Sequence, residues 1–256
     1  MRNEIDSVFL KGNRLKLMTH VVAGYPDLET SKKIIQSMAR CGVDLVEIQI
    51  PFSDPLADGP TIMAANQQAL DNGVTPYDCF KMVRELKEKV EIPLLFMTYA
   101  NITFCMGMEQ FVSESTACGI NGLIIPDLPF DEDNEDYVSV LEKYCLYPIW
   151  VVSADIKTSR LKKILKIARG FIYITLRVGI TGAVNVKVID PESLTFIKKV
   201  RQSTSIPIAA GFGISSPAHV RQLQDKVDIA VIGSHIIDLL NQYGTEKVEE
   251  FITQCR

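Results

Sequence analysis

Apolar and polar positions exchange between two periods along almost the whole chain. Leu15 to Ala23 is an apolar, partly β-branched run that stops at Gly24-Tyr25-Pro26-Asp27, the pattern of a strand followed by a turn. Ile34, Ile35, Met38 and Ala39 then recur at helical spacing across Leu28–Arg40. The same exchange predicts further strands at 44–50, 93–98, 121–126, 147–152, 170–175, 206–210 and 228–232. Helices are predicted at about 62–71, 76–89, 108–118, 132–145, 158–168, 191–202, 216–224, 235–241 and 245–254. A short leading helix over 3–11 rests on Ile5, Val8 and Phe9. Eight strands, each followed by helix and with no Pro-, Gly- or Ser-rich linker, predict a closed (β/α)8 barrel (a TIM barrel) as one domain over 1–256. A doubly wound open sheet is the alternative. The turns Cys41-Gly42-Val43-Asp44, Cys118-Gly119-Ile120-Asn121 and Lys226-Val227-Asp228 echo one another, as one repeated helix-to-strand turn would.

One strand carries an acid in its middle. Period two puts Leu45, Glu47 and Gln49 on one face of the second strand and Val46, Ile48 and Ile50 on the other. The first set suits the barrel lumen and the second the surrounding helices. A carboxylate in such a strand costs several kcal/mol in desolvation unless it is paired or opens onto a site. Glu47 is therefore expected at the mouth of the barrel, where burial favours the neutral acid and suits general acid–base work. Pairing with a lysine or arginine is the structural alternative. The loop beyond, Pro51 to Pro60, adds Asp54 and Asp58, each of which also fits a turn or helix cap.

Glycines mark the other end of the chain. Gly211-Phe212-Gly213 follows strand seven and leads to Ser215-Ser216-Pro217, a helix start. Gly233-Ser234 follows strand eight, and Gly179-Ile180-Thr181-Gly182 lies in the loop after strand six. Small residues in these loops expose backbone N–H groups at helix N-termini, the usual phosphate cradle of such barrels; tight turns are the alternative. A phosphorylated small substrate held at one rim, with an acid facing it, is the chemistry these residues support.

Composition narrows the function classes. The chain has 256 residues, 47% hydrophobic and 23% charged, with a net charge of −4, so nothing suggests a nucleic-acid or anionic-membrane footprint. The N-terminal sequence lacks the apolar run of a signal peptide and no window is apolar enough to span a membrane, which predicts a cytoplasmic soluble protein. The six cysteines and three histidines show no metal-ligand spacing, so no metal is expected and the thiols read as free.

Pro51-Phe52-Ser53-Asp54-Pro55-Leu56-Ala57-Asp58-Gly59-Pro60 closely resembles the signature of the tryptophan synthase α-subunit family. Gly24-Tyr25-Pro26-Asp27 resembles the family's first loop, Met97-Thr98-Tyr99-Ala100-Asn101 the third and Pro126-Asp127-Leu128-Pro129 the fourth. Arg177 with Gly179 to Gly182 resembles the sixth loop, and Gly211 to Ser215 the seventh. The resemblance implies a lyase that cleaves indole-3-glycerol phosphate to indole and glyceraldehyde 3-phosphate by a retro-aldol step, without cofactor, in tryptophan biosynthesis. It implies catalytic roles for Glu47, which would protonate the indole ring carbon, and Asp58, which would bond the indole N–H. Tyr173 would orient Glu47, and Thr181 would bond Asp58 on closure of the sixth loop. Gly182, Gly211, Gly213, Gly233 and Ser234 would hold phosphate, with Phe212 and Tyr99 among the substrate-binding residues. The implied partner is a β subunit that receives the indole.

Departures from the family pattern are His20 in place of an aromatic residue, Gln49 in place of glycine, Leu176 and Val178 around Arg177, Val184-Asn185, and His235 after Ser234. Gln49 is expected to hold Glu47 in one rotamer or to shift its pKa, His20 to pack or to act as a new acid–base group, and His235 to lie near the cradle. A stand-alone indole-releasing lyase, a weakly active subunit that activates a β chain, and another phosphate-handling barrel isomerase are the alternative functions.

Overall fold

A computed structural model describes residues 3–10, 12, 14–128, 135–176, 189, 191–211 and 213–256. Eight parallel strands close into a barrel in chain order: β1 (Lys16–Val22), β2 (Leu45–Gln49), β3 (Leu94–Met97), β4 (Gly122–Ile124), β5 (Tyr147–Val152), β6 (Ile172–Thr175), β7 (Ile208–Gly211) and β8 (Ile229–Ile232). Closure comes from β1 pairing with β8, with Leu17 opposite Ala230. The expected barrel is thus the observed one, and the open sheet is excluded.

The period-two reading of β2 holds. Leu45 packs in the lumen with Met18, Leu95 and Ile229, whereas Val46, Ile48 and Ile50 pack outward against the helices. Helix α1 (Glu4–Leu10) inserts Ile5 and Val8 into the same lumen cluster and so plugs the N-terminal end of the barrel. Its position is fixed by Asn3 Nδ2 donating to the carbonyls of Asn121 and Cys145, and by Tyr147 donating to Asp6. With that end filled, the C-terminal ends of the strands are left for chemistry.

Helix starts follow local capping chemistry. Asp27 caps α2 (Leu28–Arg40) by accepting from the Thr30 N–H at 2.8 Å. α3 (Pro60–Asp71) starts at Pro60 with Gly59 as its N-cap, two residues earlier than the apolar period indicates, because proline is preorganised for that position. α4 (Pro76–Lys87) opens on a Thr75–Asp78 capping box. A helix absent from the sequence expectation, α5 (Ala100–Met106), precedes α6 (Met108–Cys118); it has seven residues and leaves Phe104 exposed, so it lacks an apolar stripe to betray it. Further along lie α7 (Glu135–Lys143), α8 (Thr158–Ile167), α9 (Pro191–Arg201), α10 (Pro217–Leu223), α11 (Ser234–Tyr243) and α12 (Thr245–Gln254).

Two of the echoed turns share one geometry: Gly42 and Gly119 sit at φ +94° and +101°, whereas before β8 the left-handed residue is Asp225 at φ 62°, one position earlier. All six cysteines are free thiols. Among the described residues no helix is long and apolar enough to cross a membrane.

Gly24, between β1 and α2, tests the packing of the first loop. It lies at φ +80°, and a Cβ there would stand 2.5 Å from Val74 Cγ2. Gly24→Ala is expected to destabilise the fold by about 2–4 kcal/mol, from left-handed strain plus overpacking. Thermal denaturation followed by circular dichroism measures it.

Candidate active site

The C-terminal end of the barrel holds a cavity of about 640 Å³, counted with its open mouth. Glu47 from β2 and His20 from β1 enter it from one side and Tyr173 from β6 from another, with Asp58 supplied by the loop after β2. Met97, Ile124, Val151 and Ile214 give it apolar walls, and Gly213, Gly233 and Ser234 form part of the rim. An apolar slot with a few convergent polar groups suits a flat aromatic ligand carrying a polar tail.

The β1–β2 register puts His20 directly beside Glu47. His20 Nδ1 lies 2.9 Å from Glu47 Oε1, with both side chains buried. The carboxylate is therefore paired, but with neither a lysine nor an arginine. Burial opposes charging of the imidazole, yet the Glu47 contact and the Asp58 charge outweigh it and raise the His20 pKa above its ordinary value. His20 Nε2 and Glu47 Oε2 have no hydrogen-bond partner among the described residues.

Asp58 is not a helix cap. Its Oδ2 accepts from Gln49 Nε2 at 2.7 Å and from the Tyr99 hydroxyl at 3.0 Å, and its side chain is 3% exposed. Burial raises its pKa, partly offset by His20 and by these two donors. Asp54, by contrast, is exposed and takes a bond from neighbouring Ser53, as a turn residue does. Tyr99 also accepts from the Ala57 N–H at 3.1 Å and stacks on Phe52, which pins the loop over the strand ends.

Two expectations are corrected. Gln49 shares the face of Glu47 but bonds Asp58, because the loop after β2 folds back and puts that carboxylate within reach. Tyr173 lines the same cavity as Glu47, while the hydrogen bond to Glu47 comes from His20; the Tyr173 hydroxyl lies beside Gly211, where a Cβ would stand 2.6 Å from it. Burial, with the charges of Glu47 and Asp58, keeps Tyr173 protonated well above the usual phenol range. His235 turns away from the cradle, its ring edge-on to Phe251 of α12 at 4.7 Å, and burial lowers its pKa.

Asn66 was not anticipated. Its Oδ1 accepts from the Phe52 N–H at 3.0 Å and lies 3.4 Å from Gln49 Nε2. An asparagine on the same helical face as Ile62 and Ala69 was the available signal. Arg177, Val178, Gly179, Ile180, Thr181, Gly182, Val184, Asn185, Phe212 and Pro129 lie outside the described residues. Leu176 is buried against the outer core and receives the Ser193 hydroxyl on its carbonyl. Gly211 ends β7 beside Tyr173, and on the rim Gly213 has φ +81° while Gly233 and Ser234 open α11.

A family model described as tryptophan synthase alpha chain matches residues 8–256. The tryptophan synthase alpha chain of Desulfotalea psychrophila is 43% identical over 96% of both chains, and that of Syntrophotalea carbinolica 42% over 94% of both. Among solved structures, tryptophan synthase of Mycobacterium tuberculosis superposes with a TM-score of 0.90 at 28% identity, covering 98% of this chain and 95% of the other. Tryptophan synthase subunit alpha of Legionella pneumophila superposes equally well at 25% identity, covering 100% and 97%. The extent and agreement of these matches mean that the chain belongs to the tryptophan synthase alpha chain family.

Proposed function

We propose that the chain is the lyase subunit of a tryptophan synthase, cleaving indole-3-glycerol phosphate to indole and glyceraldehyde 3-phosphate and passing the indole to a β subunit. The observation that carries this reading is the convergence of Glu47 and Asp58 on one apolar cavity whose rim includes Gly213, Gly233 and Ser234. The whole chain works as one barrel domain, in the cytoplasm.

Protonated Glu47 gives its proton to the indole ring carbon that bears the side chain. The ring becomes cationic, and the Asp58 carboxylate at the indole N–H stabilises that charge. The ring-to-side-chain bond then breaks, its electron pair restoring the neutral ring. The glycerol hydroxyl loses its proton to Glu47 as its carbon becomes the aldehyde. One proton leaves and one returns, so the reaction calls on no metal or cofactor. Tyr173 walls the site and Tyr99 acts there through its bond to Asp58, while Gly211, Gly213, Gly233 and Ser234, with Thr181, Gly182 and Phe212, bind the substrate and its phosphate. The N-terminus of α11 supplies backbone N–H groups and the positive end of a helix dipole to that phosphate.

Indole release from indole-3-glycerol phosphate, measured alone and with a β chain, tests the reading; an intact substrate in both cases overturns it. Ser234→Asp separates phosphate binding from folding. A carboxylate at the first position of α11 suits the helix dipole but repels phosphate. The expected result is a KM raised about tenfold or more with unchanged thermal stability.

A further inference from the structure

The two oxygens of Glu47 have different surroundings. Oε1 is held by His20 Nδ1, whereas Oε2 is buried, unpartnered among the described residues, and belongs to a side chain that lines the cavity. A buried acceptor without a donor is costly, so the arrangement reads as one oxygen committed to the protein and one kept for a ligand. The pairing is built into the sheet, because β1–β2 register sets His20 opposite Glu47. The end of β8 backs the histidine: a Cβ added at Gly233 would meet His20 Cβ at 3.8 Å.

We propose that His20 is a positioning residue for the cleavage, holding Oε1 of Glu47 so that Oε2 is the oxygen that exchanges protons with the substrate. This rests on the lyase reading above. In the reacting form Nδ1–H donates to Oε1 while Oε2 carries the proton. When Oε2–H transfers to the ring carbon, the new carboxylate is already hydrogen-bonded, and the hydroxyl proton returns to Oε2 as the carbon–carbon bond breaks. Nothing is oxidised or reduced. The groups facing His20 are Glu47 and Gln49 from β2, Asp58 from the following loop and Tyr173 from β6; β8 contributes backbone at Gly233 and the Ser234 hydroxyl beyond it. The reacting form holds one proton between the two side chains beyond the imidazole N–H, and the raised His20 pKa keeps a proton at this site to higher pH than a free imidazole would.

The experiment is the pH dependence of kcat and KM for indole release by the full chain with a β chain, in wild type, His20→Phe and His20→Asn. Phenylalanine removes the donor. Asparagine keeps a donor near the Nδ1 position but cannot titrate. For His20→Phe the expected result is a kcat lower by about tenfold or more, a KM within about threefold, and a basic limb moved to lower pH. His20→Asn is expected to regain part of kcat while the basic limb stays displaced. An unchanged kcat with an unmoved limb in His20→Phe overturns the proposal and leaves a packing residue. If that variant does not fold, His20→Asn decides alone, and an unmoved basic limb overturns it. Glu47→Gln run beside them keeps the two readings apart: full activity there removes the lyase assignment of Glu47, whatever His20 does.

Discussion

Glu47→Gln is expected to lower kcat for indole release by about 10³-fold while KM changes little. Glutamine has the same shape, and its amide oxygen accepts from His20 Nδ1 at the site where Oε1 now does. Packing and thermal stability should therefore hold, and the loss isolates the proton. The size follows from general acid–base catalysis, which contributes roughly 10²–10⁴-fold, and in the proposed mechanism Glu47 serves in both directions of the transfer. Steady-state kinetics with a melting curve on the same sample measures both halves of the claim. A variant that loses KM and retains kcat would make Glu47 a binding residue instead.

Asp58→Asn is expected to cost about 10²-fold or more in kcat, the scale of removing one preorganised electrostatic stabiliser. Asparagine can still accept from Gln49 and Tyr99 through its carbonyl oxygen, so the loop stays pinned. What goes is the charge that meets the cationic ring in the proposed mechanism. The pH dependence carries a second signature. Burial raises the Asp58 pKa, so wild-type activity is full above that value and falls as pH drops through it, when the carboxylate takes up a proton. The asparagine variant has no such group, and its residual activity should lose that acid limb. An acid limb that persists unchanged would assign it to another group.

The barrel was legible because alternation and helical spacing report which face is buried, and burial decides the layers. Leu45, Glu47 and Gln49 fell on the lumen side for that reason. The same logic cannot see partners. That His20 meets Glu47 depends on the register between β1 and β2, across 27 residues, which neither strand encodes alone. That Gln49 meets Asp58 depends on how a loop without periodicity folds back. Asp58 itself was ambiguous between cap and site until Gly59 proved to be the N-cap of α3. His235 misled because nearness in sequence to Gly233 says nothing of side-chain direction at a helix start, where Phe251 offered an apolar partner. Short α5 escaped because helix propensity over seven residues is weak and its largest apolar side chain is exposed.

The proposed mechanism turns on transfer of a proton between Glu47 and the indole ring carbon. The most direct measurement is cleavage of indole-3-glycerol phosphate in deuterium oxide, wild type beside Glu47→Gln, alone and with a β chain, with products read by mass spectrometry. The expected result is equal amounts of indole and glyceraldehyde 3-phosphate from the wild type, one deuterium at the ring carbon, and almost no product from the variant. Substrate left intact by the wild type, or cleavage by the variant at the wild-type rate, would contradict it.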